Sequence, residues 1–149
     1  MKKIIMLSLL LFIIVPNKIA ANEPSKEELF KERMALYQKT EALTNIPWYY
    51  FAAIDQYEHN IRDEEASKTD IIGITISPEK WNGIGNPIYI DRQYAPFVTM
   101  FNGLGKDGNG DHYADRTNDE DIIHSFAEYI LNFGYTEQDI KIALWNYYQ

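Results

Sequence analysis

Glu58 stands where a carboxylate is out of place. Phe51, Ile54, Glu58 and Ile61 follow one another at steps of 3, 4 and 3 residues, so on a helix they share one face. A carboxylate on an apolar helix face loses hydration, and that holds its proton to higher pH. A carboxyl group part-protonated near neutral pH can give a proton to a leaving group and take it back. The plainer reading puts Glu58 at the edge of the stripe, paired with Arg62 one turn on.

A second cluster lies at Asp107, Asn109, Asp111, Tyr113 and Asp115. Their side-chain oxygens, with the Tyr113 carbonyl, follow positions 1, 3, 5, 9 and 7 of an EF-hand calcium loop. Position 6 is His112 where that loop has glycine, and position 12 is Asn118 where it has glutamate. Glu120 and Asp121 follow as further oxygen donors. The segment reads either as a weak structural Ca2+ site or as a polar turn, and no cofactor is implied for catalysis. His59, His112 and His124 are not spaced as a zinc site. No HExxH, GxSxG, phosphate-cradling or dinucleotide motif is present.

The elements that hold these groups read as helices. Ser25 with Glu28 three residues on makes a capping box, opening a helix to about Leu43. Pro47 opens the helix that carries Glu58. Ile71 to Ile76 is a short apolar stretch, readable as extended chain, before an N-cap at Ser77. Ala95 to Phe101 reads as a short buried helix, and Gly103 to Asn118 as a loop. Asn118 caps a long helix that Gly134 ends, and Thr136 with Asp139 starts the last. The fold class expected is all-α, with long irregular loops between the long helices.

The first 21 residues have the parts of a secretory signal: Lys2 and Lys3, an apolar run of 12 residues from Ile4 to Val15, then Ile19-Ala20-Ala21. That run is too short to span a bilayer, which takes about 20 apolar residues. The expected division is therefore a signal over 1–21 and one domain over 22–149, secreted to the cell-wall space without stable membrane insertion. Removal of the signal leaves 11 basic against 22 acidic residues, a formal charge of −11. Such a domain is a poor match for nucleic acid. The chain has no cysteine, which excludes disulfides, thiol catalysis, cysteine-held zinc and a lipoprotein anchor. Its 3 Trp, 11 Tyr and 7 Phe suit a packed core or a groove that stacks sugars.

Several segments together resemble one family. The chain is similar to the lytic murein transglycosylases, goose-lysozyme-like helical enzymes, and most of all to the module that precedes a lysostaphin-type endopeptidase in spore-forming bacteria. "PWYYFAAIDQYE" (47–58) resembles the helix that ends in the family's catalytic glutamate, at Glu58. "GITISPEKW" (73–81) resembles the glycan-contacting segment, with Thr75 where the family has glutamine and Trp81 in register. "GLGKDGNGDHYADRTNDEDI" (103–122) resembles the calcium-loop-like segment of one branch. "ALWNYY" (143–148) resembles the final helix, with Tyr147 matching and Tyr148 in place of asparagine; His59 stands where Ser or Thr follows the glutamate.

The resemblance implies a lysozyme-like domain that binds peptidoglycan glycan strands. It implies cleavage of the MurNAc–GlcNAc bond by Glu58 alone, closing a 1,6-anhydro ring without a second carboxylate. Thr75 and Tyr147 would orient substrate, and Trp81 would stack a sugar or pack. The substitutions at 59, 75 and 148 leave an alternative, a catalytically inactive wall-binding or spacer module. No endopeptidase motif occurs within the chain.

Overall fold

The computed structural model describes residues 25–61 and 71–149. The expected signal segment and Arg62 lie outside the described residues. Among those described, six helices and two short strands follow in the order α1 (Lys26–Thr44), α2 (Trp48–Ile61), α3 (Pro78–Asn82), β1 (Arg92–Tyr94), α4 (Ala95–Met100), β2 (Tyr113–Asp115), α5 (Asp119–Leu131) and α6 (Glu137–Tyr147). No described helix is long and apolar enough to cross a membrane.

The helix starts follow from local chemistry. Helices α1 and α6 both carry full capping boxes, Ser25 with Glu28 and Thr136 with Asp139. Asn118 caps α5 by accepting from the Glu120 and Asp121 amides. Ser77 caps the five-residue α3, whose first residue is Pro78.

The core is one cluster. Phe51 and Ile54 of α2 meet Ile72, Ile74 and Ile76, Trp81 of α3, and Ile123, Phe126 and Ile130 of α5. The 71–76 segment forms no strand. It runs through the interior with its even-numbered isoleucines buried and Thr75 exposed, an alternation that suits an extended chain.

Two expectations change. The fold is mainly helical, as expected, with one addition: Arg92–Tyr94 and Tyr113–Asp115 pair antiparallel, with Gln93 opposite Ala114. The loop read from Gly103 to Asn118 therefore contains a strand. On α2, Ile61 is 59% exposed, and Asp55 is buried beside Phe51, Ile54 and Glu58. The polar face of this helix enters the core further than the apolar spacing implied.

Candidate functional site

Glu58 sits near the end of α2 with 7% of its surface exposed. The Tyr148 hydroxyl donates to its Oε1 at 2.6 Å. Tyr148 follows the last residue of α6, so the hydrogen bond joins α2 to α6 across 90 residues of sequence. Burial, and then the bonded Glu58 carboxylate, push the Tyr148 phenol well above the ordinary tyrosine range. It therefore stays protonated and acts as a donor.

Tyr147 is the neighbouring anchor. Its hydroxyl donates to the Thr75 carbonyl at 2.7 Å, and its ring packs edge-on against Phe126 and Tyr129. Burial first, and the Glu58 charge second, raise this phenol as well. The Lys80 ammonium lies 4.4 Å from the centre of the Tyr147 ring and donates to the Tyr147 carbonyl at 2.9 Å. Tyr57, half-exposed one residue before Glu58, meets the Tyr148 ring edge-on at 5.4 Å. The result is a buried carboxylate under an aromatic cover, with one lysine at its margin.

A second cluster holds α2 in place. Asp55, 2% exposed, accepts from the Tyr37 hydroxyl of α1 and from the Gly73 amide. His59 Nδ1 bonds the Asp55 carbonyl at 2.9 Å, and its Nε2 lies 2.9 Å from an Arg33 nitrogen. Arg33 also donates to the Ile71 carbonyl. Helices α1 and α2 and the 71–76 segment are thus tied together one turn before Glu58. Gly73 is required there, because a Cβ would overlap the His59 ring.

The structure brings Glu58, Tyr147 and Thr75 together, Thr75 through its backbone carbonyl. Trp81 is fully buried, with the backbone at Gly105 close against its ring. Of the two roles expected for it, its burial matches packing and leaves no free face for a sugar.

The residues expected to hold calcium are engaged with the chain itself. Among the described residues, no three of His, Asp or Glu come together as a metal site. Asp107 accepts from the amides of Gly110, Asp111 and His112, and Asn109 from the Asp111 amide. Arg92 supplies positive charge. It pairs with Asp111 at 2.9 Å, lies 3.6 Å from Asp115, and covers the Tyr113 ring at 4.0 Å. Beneath them buried Asp121 takes the amides of Gly108, Asn109 and Asp115. Burial outweighs those bonds and moves its carboxyl above the usual aspartate range.

Asp55 and Tyr148 are the site residues that sequence reasoning missed. Asp55 falls one turn after Phe51 and three residues before Glu58, a spacing that places it on the same face. Tyr148 was legible only as a replaced asparagine.

The chain is 41% identical over 151 aligned positions to the L-Ala--D-Glu endopeptidase of Bacillus subtilis (strain 168). The alignment takes in 99% of this chain and 46% of the relative, so the chain spans a little under half of that protein's length. No family model and no solved structure matches. The relative's name corrects the transglycosylase resemblance. It denotes a peptidase of peptidoglycan, which cuts a peptide bond, not an enzyme that opens the MurNAc–GlcNAc bond. The anhydro-ring lyase reaction does not stand, and the inactive-spacer alternative gains no support from the same finding.

Proposed function

We propose that this chain acts on peptidoglycan as a hydrolase domain directed at the peptide stems, with Glu58 as its proton-transferring carboxylate. The observation that carries the reading is the 41% identity, across nearly the whole chain, to a protein named for cutting between L-Ala and D-Glu. The amino-terminal pattern of Lys2, Lys3 and the apolar run to Val15 supports export to the wall.

The chemistry asked of the site is modest. Among the described residues, Tyr148 alone bonds the Glu58 carboxylate, and it takes Oε1. Oε2 can accept from a water molecule. That water adds to the stem amide carbonyl as its proton passes to Glu58, and Glu58 then returns the proton to the leaving amine. One carboxylate and one amine form for each bond cut. Tyr148, held neutral, spends its one O–H proton on Glu58 Oε1 and so keeps the carboxylate turned.

The test is to incubate the purified chain with peptidoglycan and follow new free amino groups. Release of amines by the wild type, abolished in Glu58→Gln, supports the reading. Release that survives Glu58→Gln, with helicity unchanged, moves the chemistry away from Glu58.

A further inference from the structure

Between α3 and the 99–106 segment on one side, and α5 and α6 on the other, two hollows of about 370 and 300 Å3 adjoin. They share Asn102, Leu104 and Tyr129 as common wall. Lys80 lies in the first hollow only and Lys106 in the second only. The two hollows thus adjoin along that shared wall, with one lysine lining each. The groove they form touches the Glu58 cluster through Lys80, which binds Tyr147, and through Tyr129, whose ring packs on Tyr147.

We infer that this groove binds a short peptide carrying free carboxylates, one held toward Lys80 and another toward Lys106. The inference rests on the peptide-stem reading for its choice of ligand, and on three observations for the site.

The first is charge. In a chain with 22 acidic and 14 basic residues, Lys31, Lys39, Lys141, Arg92 and Arg116 each have a carboxylate within 4.0 Å. Lys80 and Lys106 have none among the described residues. Lys80 is held by a carbonyl and an aromatic ring, and Lys106 by the Thr99 hydroxyl at 3.4 Å. Glu79 lines the Lys80 hollow and Glu128 the Lys106 hollow, but neither carboxylate comes within 4.0 Å of the lysine there, so both ammonium groups are left without an ion-pair partner among the described residues. A ligand carboxylate supplies the missing partner.

The second is the lining between them. Asn102, Asn132 and Asn146 line the groove, and each carboxamide can both donate to and accept from a peptide bond. Tyr129 gives an aromatic floor.

The third is rigidity. The wall is fixed before any ligand arrives, because the Leu104 and Gly105 amides donate to the Lys80 and Trp81 carbonyls at 2.9 and 3.1 Å. Gly103 permits that approach, since a Cβ there would overlap the Trp81 carbonyl oxygen. Asn102 is held with φ at 55°, an uncommon state for a non-glycine residue. A preformed groove loses little freedom on binding.

The probe is a synthetic pentapeptide containing L-Ala-D-Glu with free carboxylates, titrated calorimetrically into the purified chain. Its controls are the same peptide with every carboxylate converted to carboxamide, and a neutral N-acetylated disaccharide. The free-acid peptide binds; the capped peptide, and Lys106→Met and Lys80→Met with the free acid, each bind roughly tenfold more weakly. Equal binding of free and capped peptides overturns the inference. So does unchanged affinity in both lysine variants with native circular dichroism, or binding of the disaccharide alone. Peptide binding that follows these rules, without amine release from peptidoglycan, leaves the groove standing and removes the hydrolase reading. Amine release without carboxylate-dependent binding does the reverse.

Discussion

Replacing Asp55 with alanine tests how the site is held. Asp55 is the shared acceptor for the buried Tyr37 hydroxyl and the Gly73 amide, 18 residues away on either side. Each donor left buried without a partner costs about 1–3 kcal/mol. Removing a buried carboxylate returns part of that, so a net loss of about 3 kcal/mol is expected. For a domain of this size that lowers the melting temperature by about 10 °C. Thermal melts followed by far-ultraviolet circular dichroism read the change. Asp55→Asn keeps one acceptor oxygen and should fall between wild type and Asp55→Ala. A drop of less than about 3 °C for the alanine variant would refute the shared-acceptor reasoning, because the two donors would then have other partners.

Two further outcomes follow from the same geometry. Burial holds the phenols of Tyr37 and Tyr147 above the ordinary range, helped by bonded Asp55 in one and by the Glu58 charge in the other. The folded chain keeps protons that the unfolded chain releases, so the stability they contribute is full below about pH 10 and is lost as pH rises beyond it. The slope is up to about 1.4 kcal/mol per pH unit for each phenol. Urea midpoints taken on both sides of that pH should fall steeply; a flat profile contradicts the burial of these hydroxyls. Gly73→Ala places a methyl group against the His59 ring and should cost about 1–3 kcal/mol; an unchanged melting curve would show that His59 can move aside freely.

Much of the scaffold was readable because its causes are local. Ser25, Ser77, Asn118 and Thr136 all cap helices, and each is followed by the residues that a cap requires. Glu58 was readable for the same reason, since a 3.6-residue period alone puts it beside Phe51 and Ile54. What was missed is non-local. The β1–β2 pair joins three-residue strands about 20 positions apart, too short to show a period of 2. Asp55 has meaning only with Tyr37 and Gly73 beside it. Tyr148 has meaning only when α6 returns across the end of α2. At the Asp107 loop the oxygens follow a calcium-loop spacing, and Arg92 of β1 pairs with Asp111 there, a contact between distant segments that the spacing does not carry. The family resemblance singled out Glu58, Thr75 and Tyr147, of which Tyr147 bonds the Thr75 carbonyl, and attached the wrong reaction to them, since local motifs fix positions more firmly than chemistry.

The most direct measurement compares wild type and Glu58→Gln on purified peptidoglycan, counting new amino groups and identifying the released fragments by mass spectrometry. Wild type is expected to release fragments with newly exposed stem amines, and Glu58→Gln, equally helical, to release none. Equal release from both proteins, or no amine release from a correctly folded wild type, would contradict the assignment of Glu58 to peptide-stem hydrolysis.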